Sequence, residues 1–358
     1  MNHLSTEFAP RPDLKYPFNK GWNPEPGKPF EVAEGVFWVR VPMPIALDHI
    51  NLWLLKDGDG WVIVDSGLDD QSCKDVWEIV FDSFLKPELV NKIIITHFHP
   101  DHIGLAAWLA GKCDCKIWIT EGEFWHYHEI VTRDSEMHAH EVDAFISELG
   151  FNRKNIGMYL SFYKMDDKPK ESRVQPEQCV FIKEGDELII GDHTWRIVMG
   201  NGHSPEHACL YCPQIETLIA GDQALPRISS NISVYIINKH KDPLGDWLDS
   251  CAKLRDEISS DTLILPSHQE PFYGLDLRMQ QLIDDHHAQL NRLRLRAAEP
   301  TTTDQARRVL FDRELSDFEV LMATGEALSH INYLWHRGEL EKTQRDDKVL
   351  SYQIVNNR

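Results

Sequence analysis

The sequence predicts an α+β fold: two strand-rich halves, each closing on a helix, forming two sheets packed face to face with helices outside. Three observations carry this. Short apolar runs separated by Gly, Asp and Pro turns fill residues 35–65 and recur over 187–265. Each half then passes into segments with helical apolar spacing. At the ends of several runs stand His and Asp residues, just past the last apolar position.

Residues 1–30 are rich in proline and polar groups and read as an N-terminal arm. Strands follow at 35–41, 51–55 and 61–65, the last two joined by Asp57-Gly58-Asp59-Gly60, a hairpin signal. Val76, Ile79, Val80 and Phe84 give helical spacing over 69–85. A strand at 92–96, a helix at 102–110 ending before Gly111, and a strand at 116–120 complete the half. In the second half, strands are expected at 187–190, 195–199, 208–212, 217–220 and 262–265, with helices at 246–258 and 277–298.

Residues 121–175 interrupt the pattern with a helical, aromatic insertion. It reads either as a cap over a substrate, with Trp125 and Tyr163 as candidate contacts, or as an element that only packs onto the body. His126, His128, His138 and His140 fall at i, i+2, where helical side chains point apart, and read as surface residues. From 301 to 358 the order is helix (303–311), helix (317–320), helix (324–337) and a short hairpin, a winged-helix-like order. Its candidate recognition helix carries Glu326, His330 and Asn332 and is not basic, so packing or homodimer formation is the expected role.

The chain of 358 residues has room for one large domain and a small one. Lys+Arg total 37 against Asp+Glu 57, a net charge of -20 that opposes nucleic acid and anionic membranes as partners. No stretch approaches the ~20 apolar residues of a membrane span. Seven cysteines and no visible secretory signal point to the cytoplasm. Cys209 and Cys212 fall on opposite faces of one strand, which argues against a structural zinc site there.

The most specific feature is Thr96-His97-Phe98-His99-Pro100-Asp101-His102, directly after the apolar run Ile93-Ile94-Ile95. His97 and His99 share a face, while Asp101 and His102 lie around the bend. Imidazole and carboxylate donors suit zinc first, with iron or manganese as alternatives. His203, Asp222 and His268 each follow another predicted strand, so all could meet on one edge of the sandwich, with Asp222 placed to bridge two cations.

This set resembles the metallo-β-lactamase superfamily over residues 31–300. The resemblance implies an αβ/βα metallo-β-lactamase sandwich with a helical insertion and a C-terminal winged-helix-like domain. By motif position it implies that His97, His99 and His203 hold one metal and that Asp101, His102 and His268 hold a second. Asp222 would bridge them, and Asp65, in Val64-Asp65-Ser66-Gly67, would orient a ligand from behind. An Asp at the bridging step is similar to glyoxalase-II-like hydrolases. The stretch 221–228, with the winged tail, resembles the LACTB2-like branch, which includes a metal-dependent RNA endonuclease.

The expected reaction is hydrolysis, since paired divalent cations bring the pKa of a shared water toward neutrality and polarise a substrate oxygen. Asp101 and Asp222 are the candidates to hold that water. An acidic protein with an aromatic cap fits a small acyl substrate, a carboxylic thioester or ester. A lactone uses the same attack. A phosphodiester would need basic groups, of which Arg227, Lys239 and Lys241 are the ones in view.

Overall fold

A computed structural model of the chain describes residues 14–44, 47–133, 135–150 and 172–355, with side chains masked over 135–139. Tyr163 lies outside the described residues, as does the side chain of His138.

The first sheet has seven strands in sequence order: β1 Phe30–Ala33, β2 Val36–Pro42, β3 His49–Asp57, β4 Gly60–Val64, β5 Val90–Ile94, β6 Lys116–Thr120 and β7 Cys179–Ile182. β1 to β4 pair antiparallel through tight turns, and β4 to β7 pair in parallel through helical crossovers. The second sheet comprises β8 Glu187–Ile190, β9 His193–Gly200, β10 His207–Cys212, β11 Thr217–Gly221 and β12 Leu263–Pro266, in the order β12-β11-β10-β9-β8. β1 and β7, too short and mixed to read as strands, extend the predicted first sheet.

The inner faces of the two sheets meet over Trp38, Trp53, Val62, Val64 and Ile94 from one side and Trp195, Ile197, Leu210, Ile219 and Leu265 from the other. Each fully buried Val, Leu or Ile there stabilises by about 1.5–3 kcal/mol. Outside the first sheet lie α1 Gln71–Ser83, α2 Pro100–Ile103, α3 Ala106–Cys113 and α4 Glu121–Thr132. Outside the second lie α5 Ser135–Leu149, α6 Pro243–Glu257, α7 Leu275–Arg296, α8 Thr303–Leu310 and α9 Asp317–His336. The tail adds a small sheet from β13 Thr301–Thr302, β14 Leu340–Gln344 and β15 Leu350–Ile354.

Two expectations are corrected. The helix predicted over 102–110 is split into α2 and α3. The Leu105 N–H leaves the helical ladder for Gly67 O and Ser66 Oγ, both at 3.1 Å, while His102 O accepts from Ser66 N and Ser66 Oγ. The loop after β4 thus takes backbone groups that a continuous helix would have used. Conversely, the two helices predicted over 317–337 are one. Gly325 does not break α9; a Cβ there would fall on the Ser233 side chain, and Gly325 O accepts from Val234 N at 3.1 Å. Tertiary contact decides both cases. Glu326, His330 and Asn332 are accordingly buried, not presented on a recognition face.

The N-terminal arm is tied to the body: Lys15 bridges Tyr273, and Gly21 N donates to Glu270 Oε1 at 2.8 Å. Cys209 and Cys212 do lie on opposite faces, in two different cores. No helix of the described residues is long and apolar enough to cross a membrane.

Candidate metal centre

Five strand ends converge on one edge of the sandwich. β4 delivers Asp65, β5 runs on into Thr96 and His97, β9 into His203, β11 into Asp222 and β12 into His268. Two of these turns need unusual backbone. Asp65 has φ 63°, a left-handed conformation rare outside Gly and Asn/Asp. Gly221 has φ 54°, and a Cβ on it would land on the His207 ring. That close approach lets His207 Nε2 accept from Asp222 N–H at 3.1 Å, aiming the Asp222 side chain outward.

The ligand-type atoms form two sets that share Asp222. In the first, His97 Nε2 is 2.9 Å from His99 Nδ1 and 3.2 Å from His203 Nε2, and His203 Nε2 is 3.3 Å from Asp222 Oδ2. In the second, His268 Nε2 is 3.3 Å from Asp222 Oδ1 and 3.5 Å from Asp101 Oδ2, and His102 Nε2 is 3.7 Å from each of those oxygens. Four ligands about 2.1 Å from a common ion in tetrahedral array stand roughly 3.4 Å apart. The observed spacings match that separation. His102 Nε2, His268 Nε2 and Asp222 Oδ1 are buried with no hydrogen-bond partner among the described residues. Three converging orphans of this kind are what a missing cation leaves, so the donor sets fit divalent metal ions.

Every imidazole but one is fixed from behind by its other nitrogen. His102 Nδ1 meets Asp65 Oδ2 at 2.7 Å, His203 Nδ1 meets Asn231 O at 2.8 Å, and His268 Nδ1 meets His49 O at 2.8 Å. His97 Nδ1 faces Thr96 Oγ1 at 3.1 Å. Such partners set the tautomer and leave the inward nitrogen free to bind. Burial disfavours a charged His102, yet the carboxylates of Asp65, Asp101 and Asp222 outweigh it and raise its pKa to about 10. Burial likewise opposes ionisation of Asp222, but His268 and His102 hold its carboxyl well below the usual range. A field that holds protons on imidazole this strongly also favours a cation in their place.

Four positioning residues were not singled out from sequence. Glu123 on α4 is fully buried and accepts from Phe98 N at 2.9 Å, and from Ser204 Oγ and Glu206 N at 2.6 Å each. It therefore ties the His97–His99 loop to the His203 loop. Burial pushes its carboxyl up to about 7 against those hydrogen bonds. His207, Asn231 and His49 hold Asp222, His203 and His268 respectively. An acidic residue early in an otherwise aromatic helix was the one available signal for Glu123; nothing local marks Asn231 or His49.

The remaining expectations divide. Trp125 is 48% exposed, with Phe124 and His128 as ring neighbours and Nε1 donating to Glu121. At about 100° per residue it lies opposite Glu123 on α4, on the face turned away from the metal edge. His126, expected on the surface, is instead packed 4.4 Å from the Phe98 ring, and burial lowers its pKa to about 4. Helical periodicity puts it beside Glu123, on the inward face. Arg227 is paired with Glu270 through both guanidinium nitrogens and lies over the Tyr16 ring, so its charge is already matched. Lys239 pairs with Glu148 at 3.2 Å.

The sequence pattern of the Metallo-beta-lactamase superfamily matches residues 45–268, more than half of the chain. The chain belongs to this superfamily. Residues 290–355 match the pattern described as "Metallo-beta-lactamase-like, C-terminal domain". The chain is 23% identical over 332 residues to "Probable metallo-hydrolase YqjP" of Bacillus subtilis (strain 168), covering 89% of this chain and 95% of that protein. It is 21% identical over 262 residues to "Acyl-coenzyme A thioesterase MBLAC2" of Gallus gallus, covering 67% and 80%. A crystal structure of a beta-lactamase domain protein from Burkholderia ambifaria, 38% identical, superposes with a TM-score of 0.86 over 96% of this chain and 98% of that one. The superfamily's sandwich is thus the fold of this chain, with the tail as a second conserved pattern.

Proposed function

We propose that this superfamily member is a binuclear metal-dependent hydrolase of carboxylic thioesters or esters. The observation that carries the reading is Asp222, whose two oxygens face two separate ligand sets, each at 3.3 Å from a histidine Nε2. Zinc is the expected ion, since the donors are five imidazoles and two carboxylates; iron or manganese suits them too. Bound divalent ions supply Lewis acidity and a water whose pKa is lowered toward neutrality. The chain's own part is to orient and to manage protons. Asp101 and Asp222 would hold the nucleophilic water, and Asp101, with its side chain 19% exposed, is the more accessible of the two to solvent. Asp65, Asn231 and His49 keep three imidazoles in one tautomer.

Thioester chemistry is supported by the similarity to an acyl-coenzyme A thioesterase, and the charge of -20 weighs against a nucleic-acid backbone. Arg227 and Lys239, two of the three cationic residues considered for a nucleic-acid backbone, are already paired with Glu270 and Glu148. The bridging Asp222 supports the glyoxalase-II-like assignment.

The test is a substrate panel of acyl thioesters, lactones and bis-phosphodiesters, offered to zinc-, iron- and manganese-loaded protein. Thioester turnover is expected, weakly salt-dependent and lost in Asp222→Asn. Phosphodiester turnover falling steeply with salt, with no thioester turnover, would move the assignment to the nuclease branch; lactone turnover alone would make it a lactonase.

A further inference from the structure

A third group of ligand-type side chains lies apart from the edge. His286 on α7 meets Glu326 and His330, which share one face of α9 at i, i+4. One ligand atom from each lies within 4.8 Å of the others, and all three residues are buried.

The tautomers are constrained. His330 Nδ1 lies 2.8 Å from Glu326 O, a carbonyl that only accepts, so Nδ1 carries the proton and Nε2 presents a lone pair. His286 Nδ1 faces that lone pair at 3.3 Å. The separation is close to the 3.2 Å between His203 Nε2 and His97 Nε2 in the first ligand set. A direct bond between the rings would need the proton on His286 Nδ1, leaving a lone pair on its Nε2. That Nε2 is buried with no geometrically sound partner among the described residues, and so is Gln289 Oε1, an acceptor on the next turn that acts on the same ring. Placing the proton on Nε2, toward Gln289, matches those two groups. It also turns both facing nitrogens into lone pairs, and a cation between them would satisfy both. Glu326 adds a carboxylate whose hydrogen-bond partner, Asn231 Nδ2 at 3.1 Å, is a neutral amide. Burial raises its pKa to about 8, so without a counter-charge it keeps a proton whose place a cation would take.

We propose that His286, Glu326 and His330 hold a further divalent metal ion, zinc by their His2Glu chemistry, which cross-links α7 to α9. A water completes the four positions that zinc prefers. The ion also reaches the catalytic edge, because Asn231 donates to Glu326 and accepts from His203 Nδ1. It thereby steadies one ligand of the first set without belonging to it.

The test is a metal count on the full chain, stripped with chelator, reloaded with zinc and desalted, for wild type, His286→Gln and Glu326→Gln. Each variant should carry one equivalent less than wild type, and the zinc-dependent rise in Tm should shrink. A His97→Ala/Asp222→Ala/His268→Ala chain should keep one tightly bound equivalent, and cobalt reloading should give it a visible absorption band that adding His286→Gln removes. The triple-alanine chain removes ligands of both edge sets, so its count reports this site apart from any effect passed through Asn231 to the edge. Two glutamine variants with wild-type metal content overturn the proposal. If either variant fails to fold, the triple-alanine chain decides, and retention of no metal by a folded triple-alanine chain overturns it equally.

Discussion

Asp222 is the residue on which the two ligand sets depend, because one carboxylate serves both. Asp222→Asn keeps the shape and removes the charge. It should lower affinity for at least one ion by more than the about 10–100-fold that loss of an outer-shell partner costs while leaving the far-UV spectrum unchanged, as metal competition with a chromogenic chelator will show. Glu123 acts one step further out. Glu123→Ala leaves the buried Phe98 N–H unpaired, which costs about 1–3 kcal/mol, and also frees the part-buried Glu206 N–H. Metal affinity should fall with stability, and Glu123→Gln, which keeps an acceptor oxygen, should recover part of both in urea melts and metal titrations. Gly221→Ala is expected to be worse than its size suggests. It combines about 1–2 kcal/mol for a left-handed alanine with a Cβ placed on the His207 ring, and the same melts will measure the sum.

Among the elements, α9 gives a prediction whose sign separates two effects. Alanine is favoured over glycine in a helix interior by about 1 kcal/mol, so propensity alone says Gly325→Ala stabilises. The Ser233 side chain occupies the space of the new Cβ, so the substitution should destabilise, and adding Ser233→Gly should reverse the sign. The start of α9 behaves as propensity predicts: Ser316 and Glu319 form a reciprocal capping box, and Ser316→Ala should cost about 1 kcal/mol. Local sequence carries that cap and those at Asp70 and Thr302, each three residues from the N–H it serves. It was insufficient for the α2–α3 break, because the groups that intercept the ladder, Ser66 and Gly67, are nearly forty residues away in sequence.

For the molecule as a whole, the tail and the sandwich share one core. Leu310, Leu321, Ile331 and Leu334 of the tail pack in the same cluster as Trp247, Leu254 and Met279. Three helices before a wing were expected in the tail, but it has two, α8 and α9, and α9 presents no free face for nucleic acid; it covers the second sheet's outer layer. Truncation after Pro300 should therefore expose that core and yield aggregated protein, checked by size-exclusion chromatography. Chelation should act globally too. An ion present at 100 times its dissociation constant adds about 2.7 kcal/mol of stability, so calorimetry with and without chelator should show a drop in Tm that added zinc reverses.

By itself the sequence determined the two strand-rich halves and the identity of the seven edge residues. Apolar runs with polar punctuation dictate strands, and a His-x-His-x-Asp-His cluster has few uses other than metal binding. Which atoms face which was decided only by tertiary structure. Asp222 faces both ligand sets because Gly221 lets His207 approach its backbone, Glu123 joins two ligand loops from a helix of the aromatic insertion, and Arg227 is taken up by Glu270. These pairings link residues 15 to 81 positions apart, and no local spacing carries them; they exist because two sheets, once packed, bring their strand ends to a single edge.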